Sequence, residues 1–186
     1  MELMEVLRKR RAVREYTAAQ LDAVTIERLI KAATLAPSAM NQQPWTFAAL
    51  LDRKRIEGYG ERAKSWLLAN LPAAGSEETF RELLEDPHFA LFYHAPALVL
   101  VLANTPDRQA IEDCCLAAEN LMLAARDEEI GTCWIGLARP WLNLPATKKE
   151  LGLPEECEVV APIILGFAKE WPEPHGRNLP EIHWLG

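Results

Sequence analysis

The segment Ala95–Ala103 reads Ala-Pro-Ala-Leu-Val-Leu-Val-Leu-Ala and holds no polar side chain. Successive side chains of a strand point to opposite faces, so this run leaves neither face for water and must be covered on both sides. Pro96 suits the entry to such a strand, where its missing N–H costs no ladder bond. The run is far shorter than the roughly 20 apolar residues of a membrane-crossing helix. It therefore predicts an interior strand over Ala97–Ala103 with other elements packed on each face.

The rest of the chain supplies those elements. Trp45–Leu51 and Glu158–Phe167 read as further buried strands. Glu2–Arg10 predicts a short helix with Leu3, Val6 and Leu7 on one face. Asp22 or Thr25 can cap a second helix, in which Ile26, Leu29, Ile30 and Ala33 recur at helical spacing until Pro37 stops it. A charged helix begins near Asp52 or Arg53. The longest helix is expected from about Arg108 to Glu128. Its apolar stripe, running from Ile111 through Cys114, Ala118 and Leu121 to Ala125, is wide enough for burial on more than one side, as at a dimer interface.

Gly131 is expected to end that helix region. A short helix is predicted over Ala146–Leu151. Leu71–Pro87, with Pro72, Gly75 and Pro87 among acidic residues, predicts an irregular surface loop. From Lys169 the chain carries Pro172, Pro174, Gly176 and Pro180 and reads as extended. That tail has Trp171, His183 and Trp184 as anchors but no core of its own, so it must lie on something, such as a second subunit. Helices interleaved with a few strands give an α+β or α/β domain. With 186 residues and no linker, one domain is expected over 1–186, its tail covering about 169–186.

Several classes of function are disfavoured. A net charge of −7 argues against a nucleic-acid binder, which needs a concentrated basic surface. No stretch reads as a membrane span. The opening Met1-Glu2-Leu3-Met4-Glu5 lacks the basic-then-apolar order of a signal peptide, so a cytoplasmic location is expected. Cys114, Cys115, Cys133 and Cys157 show no CxxC spacing, and the four histidines are scattered, so no metal site is expected. The cysteines read as reduced, mostly buried thiols. There is no GxGxxG, GxxxxGK[ST], GxSxG or HExxH.

Four segments carry candidate chemistry. Arg8-Lys9-Arg10-Arg11-Ala12-Val13-Arg14 puts five cations in seven residues. By itself this reads first as a solvated helix end, with favourable charge–dipole contacts. The alternative is a phosphate clamp built from planar guanidinium forks. Ala36–Trp45 (Ala-Pro-Ser-Ala-Met-Asn-Gln-Gln-Pro-Trp) is either an ordinary helix-to-strand connection or a loop whose Ser38, Asn41 and Gln43 serve a ligand. Ile130–Leu137 places Gly131 and Gly136 where a backbone can approach a flat ligand, or simply makes a turn. Gly176-Arg177 in the tail is the fourth; a lone arginine is more often a surface charge.

In this order the four segments resemble the nitroreductase family of flavoproteins. The arginine-rich RRSxRxF/Y opening is matched by Arg10–Tyr16, and APSxxNxQPW by Ala36–Trp45. The helix DxxxAxxNLxLAA followed by GxGTxWIG looks like Asp113–Ala125 and Gly131–Gly136. PxRxxLxEIVHW is similar to Pro174–Trp184. The resemblance implies an α+β fold, a central mixed β-sheet flanked by helices, and a C-terminal extension onto the partner subunit. It implies a homodimer with FMN at the subunit interface and NADH or NADPH as electron donor. Arg10, Arg11 and Arg177 would hold the phosphate, with Ala12 and Gly176 beside them, and Arg14 would approach the pyrimidine edge. Pro37, Ser38, Ala39, Asn41 and Gln43 would come from the partner. Trp134, Ile135 and Gly136 would pass along the ring near N5.

Three positions depart from the pattern. Ala12 replaces a serine, His175 stands where an arginine is common, and Gly136 replaces the glutamate of some members. The implied reaction is ping-pong hydride transfer from NAD(P)H to a small oxidised acceptor such as a nitroaromatic or quinone. The chemistry is assigned to FMN N5 and no side chain is assigned as catalytic. The alternatives are a non-catalytic FMN carrier or sensor, and a specialised flavin-fragmenting or dehalogenating member.

Overall fold

The computed structural model describes residues 1–71 and 78–186. Its sheet is built from β1 (Trp45–Leu50), β2 (Ala97–Ala103), β3 (Ile130–Trp134) and β4 (Glu158–Phe167), in the order β1-β2-β4-β3. All three pairings are antiparallel, with a register shift between Val101 and Leu102 where β2 meets β4. The mixed sheet expected from the resemblance is thus antiparallel in its four strands. The parallel component among the described residues is the isolated bridge between Ala12 and Thr132. It forms because the segment leaving the first helix runs beside β3 in the same direction.

Every residue of β2 is buried, and its two faces enter different cores. Ala97, Val99, Val101 and Ala103 pack with α2 (Ala23–Ala33) and α5 (Arg108–Asp127). Leu98, Leu100 and Leu102 pack with α3 (Arg53–Asn70), α4 (Glu78–Glu85) and α6 (Arg139–Leu142). Fully burying a leucine or valine is worth about 1.5–3 kcal/mol, which explains why a strand apolar at every position demands helices on both sides.

Three helices are capped by aspartates, Asp22 being one of the two caps expected for α2. Asp22 accepts from Thr25 N at 2.7 Å, Asp52 from Arg55 N at 3.1 Å and Asp107 from Ala110 N at 3.0 Å. The first helix, α1, covers Leu3–Lys9, and α7 covers Pro145–Leu151.

Two expectations need correction. The loop read over Leu71–Pro87 contains α4, whose Leu84 is completely buried. Here packing of Leu84 on α3 outweighs the flanking prolines and acids. Pro72 and Gly75 lie outside the described residues. Nor does Gly131 end α5. Glu129 does so in the left-handed conformation (φ 59), and Gly131 sits inside β3. A Cβ at Gly131 would lie 2.8 Å from Val13 Cβ, so glycine there allows the Arg10–Tyr16 segment to lie against the sheet.

Gly166 has the same use in β4, because a Cβ there would meet Pro96 Cδ and Tyr16 Cδ1, each at 2.7 Å. Overpacking of this kind costs about 1–3 kcal/mol. Gly166→Ala is therefore expected to lower stability by that much, seen as a lower urea midpoint with an unchanged slope. An unchanged midpoint would show that the Pro96–Tyr16 contact yields freely.

Candidate functional site

The arginine segment is held by the sheet. Val13 N donates to Thr132 O at 2.9 Å and the Val13 side chain is fully buried. With Val13 turned inward, Ala12 and Arg14 line the opposite side. They share a groove of about 510 Å³ with Arg11 and Glu15, and its other wall is the start of the tail: Glu170, Trp171, Pro172, Glu173 and His175. That wall is fixed by Trp171, over whose ring Arg126 Cζ stacks at 3.8 Å. Arg126 is itself buried and ion-paired with Glu129 at 2.9 Å.

The arginines differ in their engagement. Arg10 Nε lies 3.4 Å from a Glu119 carboxylate oxygen on α5. Arg11 lines the groove and its Nε is buried with no hydrogen-bond partner among the described residues. Arg14 is exposed and its Cζ lies 5.7 Å from the Tyr93 ring centroid. Arg177 reaches only the carbonyls of His175 and Gly176, each at 3.4 Å, and neither it nor Gly176 lines the groove within one chain.

The Pro37–Gln43 loop is built against its own backbone preferences. Met40, Asn41 and Gln43 have φ of 52, 56 and 50°. Side-chain-bearing residues in such regions cost about 1–3 kcal/mol each and persist where surrounding contacts over-determine them. Those contacts are present. Ser38 Oγ accepts from Gln43 N at 2.9 Å, and Gln43 Nε2 donates to Asn41 Oδ1 at 3.2 Å. Asp113, buried in α5, accepts from Ala39 N at 3.1 Å and from Gln109 Nε2 at 3.1 Å. The loop leaves Met40 91% exposed, so its tip has nothing to pack on within one chain.

Asp113 was visible as part of a helix motif, but its role was not, because its loop partner is 74 residues away. A hydrogen bond to a charged group contributes about 1.5–3 kcal/mol. Asp113→Ala is expected to cost about that much stability and to loosen the loop. Hydrogen exchange at the Ala39–Gln43 amides measures it; unchanged protection there would remove Asp113 from the site.

At the end of β3, Ile135 N donates to Pro162 O at 2.8 Å. Trp134 is half-buried, Ile135 buried and Gly136 exposed, with open space around the position a Gly136 Cβ would take. The Ala12–Thr132 bridge brings this strand end beside the arginine segment. The structure therefore joins Arg11, Ala12, Arg14 and the Trp134–Gly136 backbone in one region. It keeps the Pro37–Gln43 loop and Gly176–Arg177 outside the groove of the same chain.

Fold and groove together define an α+β domain with a cleft beside the sheet that Arg11 and Arg14 line together with Glu15, Glu170 and Glu173. The nitroreductase family model matches residues 7–167, and the chain belongs to that family. A protein of Archaeoglobus fulgidus, provisionally named an NADH dehydrogenase/NAD(P)H nitroreductase, is 31% identical over 91% of this chain and 87% of its own length. The crystal structure of a nitroreductase with bound FMN from Bacteroides fragilis is 29% identical, covers 100% of both chains and superposes with a TM-score of 0.83. An iodotyrosine deiodinase of Thermotoga neapolitana is 27% identical over 95% of this chain and 94% of its own. Among the described residues, no helix is long and apolar enough to cross a membrane and no cluster of metal-ligand type forms.

Proposed function

We propose that the chain is an FMN-dependent oxidoreductase that passes hydride from NADH or NADPH to a small oxidised acceptor, a nitroaromatic or quinone. The observation that carries this reading is the groove lined by Arg11, Ala12 and Arg14, which the Ala12–Thr132 bridge sets beside the Trp134–Gly136 strand end. The groove also holds Glu15, Glu170 and Glu173. A phosphate there therefore depends on specific guanidinium contacts rather than on a general positive field.

The residues present fit FMN. Arg11, with Arg10 and Arg177, supplies the phosphate contacts, and Arg14 places a positive charge for the pyrimidine edge. Ala12 and Gly176 line the chain next to those cations. Trp134, Ile135 and Gly136 provide a wall with open space over Gly136. FMN, when bound, supplies hydride acceptance and donation; the protein's part is to bind, orient and tune it. A cation at Arg14 favours the more negative, reduced state of the cofactor.

Completion of the site requires a second copy. Leu179, Ile182, Trp184 and Leu185 are 94, 57, 87 and 97% exposed in the tail. Leu3, Met4 and Leu7 of α1 and Leu116 of α5 are exposed as well. β1 has a free edge at one end of the sheet. In a homodimer the tail lies on the partner, and the partner supplies Pro37, Ser38, Ala39, Asn41 and Gln43. This brings the strained loop and Arg177 to a cleft they do not reach within one chain. A cytoplasmic location belongs to the same reading, because NADH and NADPH are held inside cells.

An acceptor screen tests the activity. FMN-loaded protein is mixed with NADH or NADPH and then with a quinone, a nitroaromatic or an iodinated phenol, the last because one relative is named a deiodinase. Turnover with parallel double-reciprocal lines supports the ping-pong reading. Bound FMN without turnover of any acceptor would favour a carrier or sensor.

A further inference from the structure

The segment between β1 and β2 contributes one residue to the arginine region, Tyr93. Its ring is fixed from two sides. Phe89 meets it edge-on at 5.7 Å and 83°, and Arg14 Cζ lies 5.7 Å from its centroid. Its backbone is held in an unusual shape, since Tyr93 and His94 both have positive φ, 49 and 52°. Two consecutive side-chain-bearing residues in the left-handed region are unfavourable and persist only where their surroundings enforce them.

The surroundings do enforce them. Buried Lys64 of α3 donates to Asp86 O at 2.7 Å and Phe89 O at 2.8 Å, tying down the entry to the turn. Tyr93 N donates to Ala90 O at 2.9 Å and Ala95 N to Phe92 O at 3.0 Å. Gly60 lets α3 approach Phe92, whose Cδ2 would be 3.2 Å from a Cβ at that glycine. The turn is thus clamped to α3 on one side and presents Tyr93 to Arg14 on the other.

We propose that Tyr93 is the positioning residue for Arg14: its ring holds the guanidinium toward the cleft, so that the arginine meets the cofactor's pyrimidine edge already oriented. The assignment rests on the FMN reading above. Arg14 is otherwise exposed, and a free guanidinium on a flexible stem loses rotamer entropy on binding; a guanidinium held over an aromatic face has lost part of it beforehand. Burial pushes the Tyr93 phenol up, and the charge of Arg14 opposes that shift. The phenol therefore stays protonated at neutral pH and faces Arg14 as a neutral ring. Cys133 of β3 is the second group near Arg14, its thiol also raised by burial and opposed by Arg14.

The test is a double-mutant cycle read by affinity rather than turnover. FMN dissociation constants, oxidised and reduced, are measured for the full-length chain, Tyr93→Phe, Tyr93→Leu, Arg14→Met and both double variants. Tyr93→Phe keeps the ring and is expected to leave FMN affinity within about twofold, whereas Tyr93→Leu weakens it about tenfold, the range of a cation–π contact. The loss should be larger for reduced FMN and should vanish in the Arg14→Met background. Equal losses with and without Arg14, or no loss in Tyr93→Leu, would overturn the assignment. Should Tyr93→Leu not fold, Tyr93→Met, whose unbranched chain fills irregular gaps, takes its place in the cycle. If the unmodified chain takes up no FMN, the FMN reading itself fails, an outcome distinct from intact binding that ignores Tyr93.

Discussion

Arg11→Ala is expected to raise the FMN dissociation constant about 10- to 150-fold, the equivalent of 1.5–3 kcal/mol for a charge-assisted hydrogen bond. Arg11 is chosen over its neighbour on structural grounds. Arg10 already faces Glu119, so replacing it disturbs a contact to α5 as well as any contact to phosphate. Arg11 lines the groove, so its replacement reports on the groove directly. Arg11→Lys keeps the charge but not the planar fork, and should recover only part of the loss. Titration of FMN fluorescence measures all three proteins. Equal affinity in Arg11→Ala would return the arginine segment to a solvated helix end.

Removing residues 178–186 is expected to convert a dimer to monomers and to strip FMN from it. The segment carries Leu179, Ile182, Trp184 and Leu185, which are largely in water within one chain. Burying each against a partner is worth about 1.5–3 kcal/mol. Their loss amounts to roughly 6 kcal/mol or more per tail, over four decades in the dissociation constant. The cut spares Trp171 on Arg126, so the groove wall remains and the monomer should stay folded. Sedimentation velocity separates the outcomes. A full-length chain that sediments as a monomer would remove the dimer from this account, and so would a truncated chain that remains dimeric.

Much of the architecture was legible in the residues because local rules and tertiary packing agree there. Alternation fails in Ala97–Ala103 for lack of any polar residue, which specifies a strand covered on both faces. Asp22, one of the two caps read for the second helix, accepts the bond from Thr25 N that a cap should. The misreadings have physical causes. The prolines and acids of Leu71–Pro87 outweighed Leu84 and Phe80 in the sequence, whereas packing on α3 decides for a helix. Gly131 looked like a helix terminator because glycine is common there. The structure uses it for contact with Val13 and lets Glu129 take the left-handed turn.

The site divides in the same way. The order of its segments is readable, but the constraints that shape it are long-range. No glycine marks the positive φ of Met40, Asn41 or Gln43, and nothing near Asp113 in sequence announces its bond to Ala39 N. Tyr93 lies 79 residues from Arg14 and in none of the four segments that carry the resemblance. A residue of that kind is found only when the turn that presents it is seen.

Uptake and reduction of FMN test the central claim most directly. The purified chain is incubated with FMN, freed of unbound flavin by gel filtration, and given NADH or NADPH without oxygen. The expected result is a yellow protein carrying one FMN per chain, bleached by one or both nicotinamides and recoloured by a quinone or nitroaromatic. A colourless protein that retains no FMN would contradict it.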